Sequence, residues 1–348
     1  MKEERTKHPW LLAGALLLVC LLSLSGRCAG AEEERIPCLA TGQTRCLIPV
    51  GRTVGIKLFA HGVMVVGVSE GAQGEQPPAR LCGLKQGDII TCINGKTVNS
   101  IEEVEQALAC TGGTLDISAT RDGRELELSL EDVPCDAQGA CKLGAWVRDS
   151  MAGIGTVTFY DPESGTFAAL GHGINDVDTG LLMPLRAGSV MPSSVSGVVK
   201  GQRGTPGELH GSFELDRDVG VLCANTAWGI FGTGEADYFT GKAVEVAARE
   251  ELKTGAATIL ANVEGESVGE YQVEILRVYP AGGRERQSLL LRVTDPKLLE
   301  ETGGIVQGMS GSPILQNGKL VGAVTHVLVN DPTRGYGICI EDMLDAAG

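Results

Sequence analysis

The sequence predicts a mostly β protein built from two consecutive modules. Gly makes up 49 of 348 residues, spread without a period through short apolar runs, as expected of a strand-rich chain with many tight turns. Asn94-Gly95 and Asp122-Gly123 each sit between strand-like runs and are the usual signals of two-residue hairpins. The length of 348 residues suits two ordinary domains, and the polar, Pro- and Gly-containing stretch 131–141 lacks periodicity, so a linker is expected at 133–141.

Residues 1–31 read as an export signal. Lys2, Arg5 and Lys7 give a basic start, Leu11 to Leu22 an apolar stretch, and Ala29-Gly30-Ala31 a cleavage site ahead of Glu32-Glu33-Glu34. The apolar stretch is short for a membrane span of about 20 residues, which favours a cleaved signal peptide over a signal anchor. Arg27 before Cys28 argues against a lipoprotein signal. In either form the bulk of the chain is expected outside the cytoplasm. A net charge of −15 repels nucleic acid, so no nucleic-acid partner is expected. Of eleven Cys, nine follow Ala31; export permits disulfides, and Cys38/Cys46 and Cys135/Cys141 are close enough to be bridged. The odd total leaves at least one free thiol or an intermolecular bond. No C-x-x-C pair occurs, which argues against a zinc site, and the catalytic reading below implies neither a metal nor an organic cofactor.

The first module is expected over 37–132. Strands are predicted at Gly55–Phe59 and Val63–Val68, with a polar loop at 70–80. The run Leu81-Cys82-Gly83-Leu84-Lys85-Gln86-Gly87-Asp88-Ile89-Ile90 leads to Thr91–Val98 across the Asn94-Gly95 turn. Ser100 and Glu103 form a capping box, opening a helix to about Cys110. A hairpin over Leu115–Leu130 closes the module. This order resembles a bacterial PDZ domain, an α+β fold that takes a peptide C-terminus as an added strand and holds its carboxylate on loop amides. The resemblance assigns that loop to Thr53-Val54-Gly55-Ile56 and the groove's far wall to the Ser100–Cys110 helix.

The second module, 142–348, contains Gly303-Gly304-Ile305-Val306-Gln307-Gly308-Met309-Ser310-Gly311-Ser312-Pro313. Gly-x-Ser-Gly-(small)-Pro before an apolar strand resembles the nucleophile turn of chymotrypsin-like peptidases, which are double β-barrels. Ser310 is then the nucleophile, and the Gly308 and Ser310 amides face the oxyanion. Ser312 is the rival nucleophile, and a Gly-rich turn with a capping Ser is the bland alternative. The preferred base among the five His is His172, delivered between two glycines at the end of a predicted hairpin over 154–170; His326 and His210 have no recognisable context. For the orienting acid, barrel spacing favours Asp218, 46 residues after His172 and 92 before Ser310, whereas Asp295 lies only 15 before Ser310.

The module as a whole resembles the stage IV sporulation protein B family of serine peptidases. The resemblance rests on Asp149–Thr156, Ala169–Thr179, Thr294–Glu300, Gly303–Pro313, Val321–His326 and Val329–Thr333, with a PDZ domain placed ahead. It implies a catalytic set of His172, Asp295 and Ser310, and selects Asp295 over Asp218. It also implies self-cleavage near the N-terminus and cleavage of a membrane-anchored inhibitor of an intramembrane protease, so that a late sigma factor is released during sporulation. The expected partners are therefore a protein substrate at a membrane surface, the chain itself, and peptide C-termini at the PDZ groove. Its expected place is the space between forespore and mother cell. Met309 stands where digestive enzymes carry an Asp, so activation by a freed N-terminus pairing with that Asp is not available. Two alternatives remain: a general envelope quality-control PDZ protease and a non-enzymatic PDZ receptor.

Overall fold

In the computed structural model, residues 45–70, 76–109, 113–133, 141–280 and 287–347 are described; the export signal expected at 1–31 lies outside them. The chain opens with β1 (Cys46–Pro49) and the 16-residue β2 (Thr53–Val68). Next come the one-turn α1 (Pro78–Leu81), β3 (Ile89–Ile93), β4 (Lys96–Thr97), α2 (Ile101–Ala109), β5 (Leu115–Arg121) and β6 (Arg124–Leu130). The 17-residue β7 (Ala145–Asp161) then returns antiparallel along β2. Six further strands follow: β8 (Thr166–Ala169), β9 (Leu185–Val199), β10 (Glu208–Phe213), β11 (Gly220–Thr226), β12 (Gly229–Gly234) and β13 (Val244–Glu245). The last part holds β14 (Gly255–Glu264), β15 (Ser267–Val278), β16 (Leu289–Val293), α3 (Pro296–Thr302), β17 (Pro313–Gln316), β18 (Lys319–Val327), β19 (Arg334–Cys339) and α4 (Ile340–Ala347).

The expected mostly β fold is present, and the part outside the 61–149 region is a pair of barrels. The strand path β7-β8-β12-β11-β9-β2 closes on itself because β2 also pairs with β7. The second barrel closes in the order β14-β15-β16-β19-β18-β17. Each has its own apolar interior. Phe167, Phe239, Val190 and Ile230 fill the first, and Ile259, Ile275, Leu291 and Val324 the second. In the PDZ part, Ile90, Ile93, Leu115 and Ile117 pack under the buried face of α2. Its hairpin chemistry matches the sequence: Asn94 and Gly95 have φ of 49° and 74°, and Asp122 and Gly123 of 50° and 74°, the left-handed pairs a type I′ turn requires. Ser100 Oγ accepts from Glu103 N, while the Glu103 carboxylate reaches Asn99 N.

The module boundary differs from the sequence reading. Residues Thr53–Ala60 do not belong to the PDZ part: they form a wall of the first barrel, paired with β7 on one side and β9 on the other. The same strand continues into the PDZ sheet, where Val63 and Met64 pair with β3, and Met64–Val68 with Ala145–Arg148 of β7. The PDZ part is therefore an insertion between two barrel strands. His61-Gly62 reads in sequence as a break between two short strands. In the fold it is a bulge within one long strand: Phe59 faces Ser150 and Met64 faces Arg148, so the surplus residues are absorbed on β2, with Gly62 at φ 78°. An apolar run reports burial and not the identity of its partners, which is why the two readings diverge. The cysteines also differ in part. Cys46 carries a free thiol and Cys141 is disulfide-bonded, while Cys38 and Cys135 of the two expected pairs lie outside the described residues.

Gly55 offers a direct check of this placement. A Cβ there would lie 2.5 Å from the Phe213 ring. Gly55→Val is expected to overpack the first barrel and lower stability by about 1–3 kcal/mol, measured by denaturant unfolding. An unchanged midpoint with a selective loss of C-terminal peptide binding would return Gly55 to a PDZ rim.

Candidate active site

Two turns from different barrels meet to form the site. At the end of β8, Leu170 (φ 72°) and Gly171 (φ 67°) swing the chain into His172. A bulky residue at positive φ is strained. Leu170 is held there by burial and by its amide, which donates to Thr156 O at 3.2 Å. The opposing turn contains Gly308 (φ 98°) and Gly311 (φ 99°) around Ser310. Only Gly fits at 311, where a Cβ would stand 1.9 Å from Thr156 O.

Thr156 of β7, fully buried, ties the two turns together. Its amide donates to Ser310 O at 3.0 Å and its hydroxyl to Gly308 O at 2.8 Å. Among the described residues, no acceptor meets the Gly308 or Ser310 amide, so both are free to receive an anion. Ser312, the rival nucleophile, is fully buried with an unpartnered hydroxyl and has no access to a substrate.

His172 and Ser310 line one cavity of about 470 Å³, together with Thr325, His326 and the β7 segment Met151–Ile154. The His172 and His326 rings lie 4.8 Å apart, tilted by 35°. His172 Nδ1 is 2.9 Å from Gly173 O. A carbonyl only accepts, so this contact places the proton on Nδ1 and leaves the Nε2 lone pair free. Burial pushes His172 down to about 4, opposed by the Gly173 carbonyl and aided by the neighbouring His326. The ring is thus a neutral base at ordinary pH. Ser310 Oγ donates to Thr325 O at 2.6 Å, and a rotation about its Cα–Cβ bond is needed to hand that proton to an imidazole.

The acid expected in the catalytic set is not brought to His172. Asp295 is the N-cap of α3, accepting from Lys297 N at 2.9 Å and Leu298 N at 3.2 Å, and also from Gln272 N at 3.1 Å. Burial would raise its carboxyl, but the Gln272, Leu298 and Lys297 amides hold it below the ordinary range. Asp218 is occupied elsewhere as well, by Lys57 Nζ at 3.0 Å and Ser189 Oγ at 2.8 Å. In this structure the orienting contact comes from the Gly173 carbonyl.

The PDZ rim also moves. Thr53, Val54, Gly55 and Ile56 are barrel residues; Ile56 lines the catalytic cavity. A second apolar–Gly–apolar run, Leu143-Gly144-Ala145, opens β7 at the PDZ end. Leu143 O accepts from Ala79 N at 2.8 Å and Gly144 O from Ser69 N at 2.9 Å. Gly144 has φ 72°, and a Cβ on it would strike Pro77 at 2.3 Å. Across from it, α2 is tied to β7 by Ile101 N donating to Asp149 Oδ2 at 2.9 Å. The loop after His172 rests on this part too. Arg148 pairs with Asp176 and, at 2.9 Å, with Asp178, and Gln86 donates to Asp178 O at 3.0 Å. Asn225 bonds Ile174 and Met183 to hold the same loop. Sequence reasoning does not single out Thr156, His326 or Leu143-Gly144. The first two sit inside the motifs that carry the family resemblance, and the third has a rim's pattern just past the expected linker.

Against known proteins, the SpoIVB peptidase S55 family matches residues 139–344, more than half of the chain. The chain belongs to the SpoIVB peptidase S55 family. It is a serine peptidase, and a PDZ domain matches residues 72–117. No curated protein matches it. Among solved structures, the PDZ domain of the SdrC-like protein Lmo2051 from Listeria monocytogenes is 24% identical, covering 25% of this chain and 87% of that one, with a TM-score of 0.21. The active form of Rv3671c protease from M. tuberculosis is 14% identical over 57% of this chain and 73% of that one, with a TM-score of 0.32. The HtrA-type protease AlgW with decapeptide is 10% identical over 86% of this chain and 64% of that one, with a TM-score of 0.35.

For an S55 peptidase with this site, kcat/KM should stay level from about pH 7 down toward the His172 value of about 4 and fall only below it, because the base works only when neutral. The same profile is expected of Asp295→Asn, whose side chain still caps α3. An acid limb near 6.5, or a drop of several orders of magnitude in Asp295→Asn, would place a carboxylate behind the imidazole.

Proposed function

We propose that this peptidase works by acyl transfer from the His172–Ser310 pair and acts in signalling between compartments during sporulation. The observation that carries the catalytic reading is the meeting of Ser310, a neutral His172 and the two unclaimed amides of Gly308 and Ser310 in one cavity. Ser310 Oγ attacks the scissile carbonyl while His172 Nε2 takes its proton. The amides hold the oxyanion, and His172 returns the proton to the leaving amine. Water then repeats the sequence on the acyl-enzyme. His326, its ring tilted by 35° beside His172, lowers the imidazole's affinity for a proton.

The biological reading rests on family membership. The chain is exported across the bacterial membrane and acts in the space between forespore and mother cell. There it cuts itself near its N-terminus and cleaves a membrane-anchored inhibitor of an intramembrane protease, so that a late sigma factor is released. The PDZ part takes C-terminal peptides between α2 and the start of β7, with Leu143-Gly144 as the rim that replaces Thr53–Ile56.

Ser310→Ala should abolish peptide hydrolysis, self-shortening and fluorophosphonate labelling, with the thermal midpoint nearly unchanged. His172→Ala should give the same loss, and the double variant no further loss, since the two act as one unit. Turnover retained by Ser310→Ala, or label mapped to another residue, contradicts the assignment.

A further inference from the structure

The free edge of β7 joins the PDZ rim to the nucleophile without interruption. On one side, β7 pairs with β2 from Ala145 to Thr156. On its other side, among the described residues, strand pairing begins only at Val157 with β8 and at Phe159 with β1. Residues 145–155 therefore present an unpaired row of backbone groups, the usual template for an added strand. Thr156 fixes which groups point outward: its amide donates to Ser310 O, and its carbonyl accepts from Leu170 N. By the two-residue period of a strand, the backbone groups of Ile154, Ala152 and Ser150 face the same way. Met151–Ile154 line the catalytic cavity, and Ser150, Ala152 and Gly153 are exposed. At the other end stand the exposed Trp146, then Gly144 and Leu143, with α2 alongside and the exposed Lys142 one residue back.

Direction follows from this layout. A peptide whose carboxylate sits on the Leu143–Gly144 rim runs antiparallel to β7, so its upstream residues approach Ile154 and then Ser310. From Ala145 to Ile154 the edge is about 30 Å long at 3.3 Å per residue, which about ten residues of extended peptide would cover.

We propose that the preferred substrate is a protein cut about ten residues before its own C-terminus, its tail laid as an added strand along β7 and its terminal carboxylate held at Leu143–Gly144. This rests on the reading of Ser310 and His172 as the peptidase pair. Water is consumed, one C–N bond breaks, and the tail leaves with a new amine while the body of the protein keeps the new carboxylate. The β7 edge is then a ruler, setting the place of the cut by distance from the chain end.

Two readouts on the full-length protein test it. Carboxymethylated casein first supplies a bond that the enzyme cuts and that Ser310→Ala leaves intact. Peptides carrying that bond are made with tails of about 3 to 20 residues after it, each as free acid and as C-terminal amide. kcat/KM should peak near ten tail residues, and amidation at that length should lower it about tenfold or more, the worth of a charge-assisted bond. The second readout is the binding of fluorescent ten-residue tails to Ser310→Ala, which does not depend on catalysis. Affinity should fall about tenfold or more on amidation, and on N-methylation of one alternate set, but not the other, of the tail residues that lie along Ser150–Ile154. Rates indifferent to tail length, or tails that bind equally as acid and amide, overturn the proposal. Casein left uncut while acid tails still bind selectively contradicts the peptidase reading and leaves the β7 groove standing.

Discussion

The antiparallel pairing of β2 with β7 holds three parts of the molecule at once. In its first half it closes the first barrel, which otherwise has two open edges. In its second half it supplies two neighbouring strands at one side of the PDZ sheet, with β2 paired to β3 and β7 at the edge. At its end it presents Thr156, whose amide and hydroxyl grip the nucleophile turn at Ser310 and Gly308. Backbone pairing of this length is hard to distort locally, because each residue displaced exposes a donor and an acceptor. The position of Ser310 relative to the PDZ part is thus a property of one pair of strands, not of a flexible tether.

The chemistry that this frame supports departs from the usual Ser-His-Asp arrangement in one respect. A carboxylate behind the imidazole both sets the tautomer and stabilises the imidazolium. Here the Gly173 carbonyl sets the tautomer, and among the described residues no carboxylate acts on the ring to stabilise a cation. The result is a base of low proton affinity facing a hydroxyl that already has an acceptor in Thr325 O. In the proposed mechanism, Ser310 leaves that carbonyl before its proton passes to His172. The contacts of Arg148 and Gln86 with Asp176 and Asp178 tie the PDZ part to the loop that follows His172.

Much of this was readable from residues alone where the signal was local. The type I′ turns at Asn94-Gly95 and Asp122-Gly123 follow from the left-handed conformation those residues accept, and the α2 start follows from Ser100 and Glu103. The Gly308–Ser310 turn and the glycine-flanked His172 do meet in one cavity. What failed was long-range. Thr53–Ile56 has the apolar–Gly–apolar pattern of a PDZ rim, yet its partners are Gly153–Thr156 and Val190–Pro192, which no local pattern specifies. Asp295 matches a family motif by position, but Asp followed by Pro296 is equally a helix N-cap, and that is the role its carboxylate fills.

Native-state hydrogen exchange across β2 and β7 in increasing denaturant tests the shared-strand architecture most directly. If the pairing unites barrel and insertion, the amides of Val63–Val68 and of Ala145–Arg148 that are hydrogen-bonded across the sheet will open with the same free energy and denaturant dependence as those of Val54–Phe59 and of the inward-facing Met151, Gly153 and Gly155. Should the first group exchange through a smaller, cheaper opening while the second stays protected, the bulge at His61-Gly62 is a hinge and the PDZ part a separable module.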